Sequence, residues 1–454
     1  MKIAIVGTGY VGITTGVTLA YLGHQVTCLD CDERKIDLLR RGVFPIYEPH
    51  LEALGNLVHG RLSFTCRPEE AEPGAEVIFI AVGTPPQPDG NPDLSYLRAA
   101  AIAIGENLGE AYTVVVNKST VPIGSGNWVE SLVREGFEAR HGTRPEGRFS
   151  IASNPEFLRE GSALHDSLYP DRVVIGSDDA RALECLYSLY KPVLEQTFPA
   201  PVFLPRPEPL SAVPLITTNL ASAELTKYAA NAFLSLKISF INEIAQLAEK
   251  VGADIAQIAK AIGMDARIGT RFLQAGIGWG GSCFGKDTAA LIATGREYSL
   301  TMPIVAAARE VNYRQRERVI EKLLAELKIL KGRTVGLLGL AFKPHTDDLR
   351  DAPAMDIARR LIDRGAKVRA HDPVAMEGAR REFASLPIGY SESPEALAVE
   401  ADALVLVTEW PQYRDLAWRA LAQSMRTPLL LDGRNFLDRD VLERAGFRYF
   451  AVGR

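Results

Sequence analysis

The sequence has few cysteines, no excess of basic residues and no long apolar run. Five cysteines among 454 residues are an odd and sparse set, typical of reduced cytoplasmic proteins rather than disulfide-bonded secreted ones. A net charge of −5 at pH 7 argues against nucleic-acid binding. No apolar run approaches the ~20 residues that a membrane-spanning helix needs. We therefore expect a cytoplasmic protein that binds neither nucleic acid nor membrane.

Metal-binding patterns are also scarce. Cys28 and Cys31 form a C-x-x-C pair, but no second pair of cysteines or histidines lies nearby, so we expect no zinc site. A hydrophobic content of 47% and a length of 454 residues instead predict a globular protein of two or three domains.

The N-terminal residues follow the pattern of a dinucleotide-binding unit. A β-branched strand at 2–6 leads into the G-x-G-x-x-G motif at 7–12, a helix from about 11 to 22, and a second strand at 25–29 that ends at Asp30. A glycine motif alone is a weak signal, but this order of strand, glycines, helix, strand and acid is specific.

Each glycine of the motif has a physical role. Gly7 permits a tight turn, Gly9 lets a pyrophosphate approach the backbone, and Gly12 lets the helix pack on the strand. The helix N-terminus then favours the negative charge of the pyrophosphate.

Asp30 predicts which dinucleotide is bound. Its carboxylate would bind the adenosine ribose hydroxyls and repel a 2′-phosphate, which favours NAD over NADP. Arg34 and Lys35 soften that preference, although both also fit a solvated helix face.

Two further apolar strands end in polar turns. The strand at 76–82 leads to Thr84, and the strand at 112–117 leads to Thr120. The carboxyl ends of strands in an open α/β sheet are where ligands lie. These hydroxyls therefore either hold cofactor or an ordered water, or simply cap the next helix.

A short strand at 149–152 precedes two acids, Glu156 and Glu160. Four residues apart, they would share one face if a helix begins here. They are equally consistent with acids that complement a helix dipole.

The middle of the chain predicts a connector and a long helix. Six prolines make 198–214 an extended connector, and 221–250 is an uninterrupted helical pattern. On that helix Lys227 and Asn231 lie four residues apart and can reach one ligand. Its apolar positions fit a domain spine or dimer face: Leu225, Ala229, Ala232, Phe233, Leu236 and Phe240.

The segment 272–287 is the strongest candidate for chemistry. It contains four glycines and then Cys283, Lys286 and Asp287; the glycines are Gly276, Gly278, Gly280 and Gly281. A thiol after such a loop, near a lysine and an acid, has the surroundings of an activated nucleophile. The alternative is a structural turn with a buried, inert cysteine.

The C-terminal part repeats the α/β pattern. Strands are predicted at 334–338, 368–372, 403–407 and 428–432, but the glycines of the first do not complete a dinucleotide motif. We predict an α/β protein with two Rossmann-like doubly wound domains joined by a long central helix. The predicted boundaries are 1–210 for the dinucleotide-binding domain, 211–325 for the central helix and cysteine loop, and 326–454 for the second α/β domain.

The whole chain resembles the UDP-glucose-oxidising branch of the UDP-glucose/GDP-mannose dehydrogenase family. The motifs are GTGYVG, VGTPP, STVP, NPEFLREGSALHD, GIGWGGSCFGKD and FKPHTDDLR, with Lys227 and Asn231 on the helix between them. The resemblance implies a homodimer that oxidises the 6-hydroxymethyl group of UDP-glucose to a carboxylate, using two NAD+ and one water.

The resemblance also implies residue roles. A water held by Thr120 and Asp287 would take the alcohol proton, and Cys283 would attack the aldehyde to give a thiohemiacetal and then a thioester. Lys227 and Asn231 would stabilise the oxyanion, and Glu156 would activate the hydrolytic water.

Binding residues follow from the same resemblance. Besides the motif glycines, the cofactor contacts are Val11, Asp30, Lys35, Thr84, Thr120, Glu160 and Arg350. The substrate contacts are Phe157, Leu158, Arg159, Glu160, Lys227, Asn231, Phe272, Leu273, Gln274, Ala275, Gly276, Gly280 and Lys343, with Arg267 reaching the sugar nucleotide of a neighbouring subunit. Trp279 and Gly285 depart from the family pattern, which has Phe and Pro there.

Three alternatives remain open from the sequence. The first is a sister enzyme for GDP-mannose or a UDP-N-acetylhexosamine, and the second is a non-catalytic NAD sensor that kept the fold. The third is a single-step β-hydroxyacid dehydrogenase, which would need no cysteine.

Overall fold

The structure is a computed structural model that describes the whole chain, Met1–Arg454. The chain divides into two units, Met1–Ala229 and Ala230–Arg454, and each contains its own parallel sheet. None of the helices combines the length and apolar character that crossing a membrane requires.

The first unit is built on an eight-stranded sheet. Its strands are β1 (Lys2–Val6), β2 (Gln25–Leu29), β3 (Leu62–Thr65), β4 (Val77–Ile80), β5 (Thr113–Asn117), β6 (Phe149–Ser153), β7 (Val173–Gly176) and β8 (Leu215–Thr218). They lie in the order 3-2-1-4-5-6-7-8, and all neighbours are parallel except β6 and β7. The order reverses between β1 and β4, which is where open α/β sheets bind ligands at their carboxyl edge.

Helices connect these strands and cover the sheet. They are α1 (Tyr10–Tyr21), α2 (Glu33–Arg40), α3 (Leu51–Asn56), α4 (Pro68–Ala71), α5 (Ser95–Asn107), α6 (Ser125–His141), α7 (Ala163–Leu168) and α8 (Ala180–Leu194). Both faces of β1 are buried, with Ile3 and Ile5 in one apolar cluster and Ala4 and Val6 in another. This burial explains why the strand is a continuous apolar run rather than an alternating one.

The proline-rich connector is held against the first unit. The Tyr169 hydroxyl donates to the Leu204 carbonyl at 2.8 Å, and the Arg206 guanidinium donates to the Phe198 carbonyl at 2.7 Å. The connector leads into β8, which pairs in parallel with β7 and which the sequence analysis did not predict.

A helix of 32 residues, α9 (Leu220–Val251), follows β8, close to the predicted limits of 221 and 250. The division between the units falls within it. Phe233, Phe240 and Leu247, spaced seven residues apart on its second-unit part, are 62%, 48% and 60% exposed. They lie on one face of α9, and this row is named the apolar stripe.

The second unit contains a smaller parallel sheet. Its helices are α10 (Ile255–Gly263), α11 (Phe284–Glu297), α12 (Pro303–Leu327), α13 (Pro353–Asp363), α14 (Met376–Glu382), α15 (Pro394–Ala398), α16 (Trp418–Ser424) and α17 (Arg439–Ala445). Its strands are β9 (Thr334–Leu338), β10 (Lys367–His371), β11 (Ile388–Tyr390), β12 (Ala403–Leu406), β13 (Leu429–Asp432) and β14 (Arg448–Ala451). Their order, 11-10-9-12-13-14, repeats that of the first six strands of the other sheet. The predicted fold class, two doubly wound α/β domains and a long helix, is confirmed.

Candidate active site

The glycine motif between β1 and α1 has the geometry of a dinucleotide-binding turn. Gly7 has a φ of +102°, and a Cβ there would lie 2.6 Å from the Ala81 carbonyl oxygen, so only glycine fits. A Cβ at Gly12 would collide with the Gly7 carbonyl oxygen, which keeps α1 close to the strand. A Cβ at Gly9 would meet nothing within 4 Å, so this side of the turn is open to a ligand. Residues of this kind fit a dinucleotide pyrophosphate at the start of α1.

Asp30 lies directly after β2, at the carboxyl edge of the sheet. Its Oδ2 accepts hydrogen bonds from the Thr8 N–H at 2.8 Å and the Thr8 hydroxyl at 2.6 Å, and it pairs with the Lys35 ammonium at 3.1 Å. Burial alone would raise the pKa of Asp30, but these donors and the Asp32 N–H lower it below its ordinary value. The carboxylate is therefore ionised and fixed in place, as ribose recognition requires.

Thr84 and Thr120 follow β4 and β5, on the same edge of the sheet. The Thr84 hydroxyl donates to the Thr120 carbonyl at 2.9 Å, which joins the two turns. The Ser119 hydroxyl adds a bond of 2.8 Å to the Val82 carbonyl. The structure thus brings these two predicted residues together.

Glu156 and Lys227 form a buried ion pair in the first unit. Lys227 Nζ lies 3.0 Å from Glu156 Oε1, and the two side chains are 5% and 7% exposed. Burial alone would raise the pKa of Glu156, but the Lys227 ammonium, with a hydrogen bond from the Leu158 N–H at 2.6 Å, lowers it. Glu156 is therefore ionised where the sequence analysis expected a base.

The segment 154–160 is irregular rather than helical, because Pro155 disfavours helical backbone at the residue before it and α7 begins only at Ala163. Glu156 and Glu160 consequently do not share a helix face. Arg159, predicted to contact substrate, pairs with Asp166 at 2.6 Å.

The neighbouring predicted substrate residue, Phe157, is half-buried. The guanidinium of Arg172 lies 3.7 Å from the centre of its ring. The Lys227 ammonium lies 5.5 Å from the same centre, so the ring borders the buried ion pair.

Cys283 occupies the N-cap position of α11 in the second unit, and its carbonyl accepts the Asp287 N–H at 2.9 Å. The side chain is half-buried, so it is neither enclosed in a core nor fully exposed. The N-terminus of a helix stabilises a thiolate, because its unpaired N–H groups carry partial positive charge. This position fits a nucleophile better than an inert cysteine.

Asp287 is one turn into α11 and is almost completely buried, with 1% of its side chain exposed. Its Oδ2 accepts a hydrogen bond of 2.5 Å from the Asn231 amide of α9, and its Oδ1 pairs with Lys286 at 2.5 Å. Lys286 is thus engaged with Asp287. Lys227 and Asn231 are one helical turn apart on α9, as the spacing predicted.

The glycine loop before Cys283 is anchored by buried polar residues that the sequence analysis missed. Asn312 accepts the Trp279 N–H at 2.7 Å and donates to the Trp279 carbonyl at 3.0 Å. Gln315 donates to the Gly276 carbonyl at 2.9 Å, and Arg434 to the Gly278 carbonyl at 2.9 Å. The available signal in the sequence was the spacing of polar residues at 312, 315 and 316 along one face of α12; their burial appears only in the structure.

The two departures from the family pattern lie close to the anchored loop. Trp279 is buried, with its ring edge against Phe284, and its indole N–H donates to the Ser239 hydroxyl at 3.3 Å. A Cβ at Gly285 would lie 3.2 Å from Asp351 Oδ2. The Trp279 ring, which is larger than the Phe of the family pattern, is therefore accommodated by packing against Phe284.

The remaining predicted binding residues of the second unit are distributed around this loop. Leu273, Ala275, Gly276 and Gly280 are buried, Phe272 and Lys343 are half-buried, and Gln274 is exposed. Arg350 pairs with Asp348, and its carbonyl accepts the Gly281 N–H at 3.0 Å. Arg267 lies apart from the loop, 88% exposed and paired with Asp265.

Asp372 follows β10 as Asp30 follows β2, but its environment differs. It is fully buried, and its Oδ2 accepts the Leu340 N–H at 2.7 Å, the Ala341 N–H at 3.1 Å and the Trp410 indole N–H at 3.1 Å. No face of this carboxylate is left for a ribose. This agrees with the incomplete glycine motif of the second sheet.

A doubly wound sheet with an open glycine turn and a fixed acid after its second strand is typical of a dinucleotide-binding protein. Comparison with known proteins narrows this class. Residues 1–194 match the NAD binding domain of the UDP-glucose/GDP-mannose dehydrogenase family, 221–314 match its central domain, and 336–439 match its UDP binding domain. The chain belongs to this family, and the prediction of NAD as cofactor is confirmed.

Individual relatives match along the full length. A UDP-glucose 6-dehydrogenase of Rhizobium meliloti (strain 1021) is 45% identical, with all of both chains covered. One of Bacillus subtilis (strain 168) is 43% identical, covering all of this chain and 93% of the relative. The solved UDP-glucose dehydrogenase of Pyrobaculum islandicum is 42% identical with a TM-score of 0.88, covering 99% of this chain and 97% of that one.

Proposed function

We propose that this protein oxidises UDP-glucose to UDP-glucuronate, consuming two NAD+ and one water for each sugar. The observation that carries the proposal is Cys283 at the N-terminus of α11, after a glycine loop held by buried polar side chains. An aldehyde gives up a hydride readily only after it has become tetrahedral, and addition of a thiolate to its carbonyl carbon makes it so. The relatives described above, all named as enzymes for UDP-glucose, support this substrate.

The residues of the first unit bind the cofactor and supply the charged groups that act on the oxyanion and on the hydrolytic water. The open turn at Gly9 and the ionised Asp30 would hold the cofactor, which accepts a hydride in each oxidation. Lys227, buried and charged beside Glu156, supplies positive charge for an oxygen that becomes negative. Glu156, ionised by that same lysine, would accept a proton from the hydrolytic water.

The residues of the second unit carry the covalent steps. The Cys283 thiolate would add to the carbonyl carbon of the aldehyde, and its sulfur would stay bonded through the second oxidation as a thioester. Water then breaks the carbon–sulfur bond, releasing the carboxylate and restoring the thiol. Asn231, oriented by Asp287 at 2.5 Å, presents its amide as a donor to the oxyanion.

We also propose that these residues work within three regions, 1–210, 211–325 and 326–454, with cofactor, catalytic loop and UDP-sugar assigned in that order. The three matched family domains support this order. A cytoplasmic location is supported by five cysteines without a disulfide, and the absence of a nucleic-acid partner by the net charge of −5.

A homodimer is part of the same proposal. The apolar stripe exposes large side chains every seventh residue of α9, which is the spacing of a helix that pairs with another helix. A second copy of the chain would cover it with an identical stripe, as a two-fold axis requires.

The test is the stoichiometry of NADH with purified protein. We expect two NADH and one carboxylate for each UDP-glucose, and little turnover of GDP-mannose or UDP-N-acetylhexosamines. Cys283→Ala should bind NAD+ and UDP-glucose but form no carboxylate, because the thioester cannot form. One NADH for each sugar, or full turnover in this variant, would refute the covalent mechanism.

A further inference from the structure

A second buried lysine lies near Glu156 and has no role in the mechanism above. Lys118 directly follows β5 and is only 8% exposed. Its Nζ donates to Asn154 Oδ1 at 3.0 Å and lies 5.8 Å from the centre of the Phe79 ring. A buried ammonium costs stability unless it is paired or hydrogen-bonded, so its position requires a physical explanation.

Asn154 connects this lysine to the segment that presents Glu156. Its Oδ1 also accepts the Tyr190 hydroxyl at 2.6 Å, and its Nδ2 donates to the Val174 carbonyl at 2.8 Å. Three hydrogen bonds therefore fix the side chain of Asn154, which lies two residues before Glu156 in the chain. Lys118 provides one of these three hydrogen bonds and the only charge among them.

The charges around Glu156 come from two elements. Lys227 reaches it from α9 at 3.0 Å, and the charge of Lys118, at the end of β5, lowers the pKa of Glu156 further by a smaller amount. Tyr190 of α8 is the other titratable group at Asn154, and burial raises its pKa, so it stays neutral. Burial lowers the pKa of Lys118 to about 8, where Glu156 stabilises its charge and Lys227 opposes it. Lys227 is thus paired directly with Glu156, whereas Lys118 acts on the same carboxylate through space from its hydrogen bond with Asn154.

We propose that Lys118 is a positioning residue for hydrolysis of the thioester: its charge, held by Asn154, keeps Glu156 ionised while Lys227 is engaged with the substrate oxygen. A base must be ionised when water attacks. If Lys227 were the only positive charge near Glu156, its interaction with an oxyanion would weaken its stabilisation of the Glu156 carboxylate. Lys118 supplies a second positive charge that does not interact with the reacting oxygen and therefore stays available to Glu156. This inference rests on the proposed function, since it concerns the hydrolytic step.

Three variants separate charge from hydrogen bonding. Lys118→Met removes both the charge and the donor, whereas Lys118→Gln retains a donor for Asn154 but no charge. Tyr190→Phe is the matched control, because it removes a hydrogen bond to the same Asn154 oxygen and leaves every charge in place. In both Lys118 variants the Tyr190 hydroxyl still donates to Asn154 Oδ1, so this buried oxygen keeps a partner, and a thermal unfolding curve for each variant checks that it folds.

The measurement is the rate of loss of the covalent adduct on Cys283 as a function of pH, followed by quenching single turnovers for intact mass. Removing a nearby positive charge raises a carboxyl pKa, so the acid limb should move to higher pH in both Lys118 variants. Because Lys227 remains, the move should be smaller than the roughly 1–3 units expected for the loss of a directly paired charge. The acid limb should not move in Tyr190→Phe.

An acid limb that stays in place in Lys118→Met would overturn the inference. So would a normal limb in Lys118→Gln, or an equal shift in Tyr190→Phe, because either result would make the role one of hydrogen bonding alone. If the unaltered protein forms no adduct at all, the proposed function itself fails, which is a different result from a normal adduct with an unshifted limb.

Discussion

Removing the side chain of Asn312 should loosen the glycine loop that precedes Cys283. Asn312 is fully buried on α12 and holds both backbone groups of Trp279, by bonds of 2.7 and 3.0 Å. Asn312→Leu keeps the size of the side chain but removes both bonds. The Trp279 carbonyl retains Arg316 at 3.3 Å, whereas the Trp279 N–H is left buried without this acceptor.

The magnitude follows from these contacts. A buried donor left unpaired costs about 1–3 kcal/mol and the second lost bond about 1 kcal/mol, together about 2–4 kcal/mol. For a unit of this size, about 3 kcal/mol lowers the melting temperature by roughly 6–12 °C. Because Cys283 is four residues after Trp279, a loop displaced by about 1 Å should also lower kcat by roughly 100-fold.

The assay is thermal unfolding together with steady-state NADH formation. The KM for NAD+ should hardly change, because the glycine motif that binds it belongs to the first unit. Arg314→Ala is the matched control on the same helix, since its ion pair with Glu310 is exposed and should contribute little. A variant with a lowered melting temperature but native kcat would refute the reasoning that loop anchoring supports catalysis.

Two other substitutions test cofactor choice and assembly. Asp30→Ala should narrow the ratio of kcat/KM for NAD+ over NADP+, because the ionised carboxylate that repels a 2′-phosphate is gone; an unchanged ratio in initial-rate kinetics would reject that role. Phe240→Lys places a charge in the middle of the apolar stripe and should lower the molecular mass in sedimentation equilibrium from dimer to monomer at micromolar protein. A mass that stays dimeric would show that the stripe is not the subunit contact.

The elements predicted most closely are those whose signal is local. The strands 2–6 and 25–29 have the bounds that the sequence indicated, and the apolar run of the first reflects its burial on both faces. Asp30 could be placed for the same reason, since the length of the strand fixes where its carboxyl end lies. The long helix was equally visible, because it lacks proline and glycine.

The features that were missed depend on tertiary contacts. β8 is an edge strand of four residues, partly exposed, so it carries no apolar run and follows prolines that indicated a connector. Polar residues along α12 look the same in the sequence whether they are solvated or buried, and only packing shows that Asn312 and Gln315 are buried and bonded to the glycine loop. The ion pair of Lys227 and Glu156 joins residues that are 71 positions apart in the chain, and no local sequence pattern predicts such a long-range contact.

The most direct test of the central claim is the mass of the protein during turnover. Glu156→Gln, mixed with UDP-glucose and NAD+ and quenched in acid, should accumulate a UDP-glucuronyl group attached to the peptide that contains Cys283, because the thioester forms but its hydrolysis is slowed. The account predicts this adduct in Glu156→Gln and its absence in the double variant with Cys283→Ala. A variant that produces two NADH for each sugar with no covalent adduct at any time would contradict it.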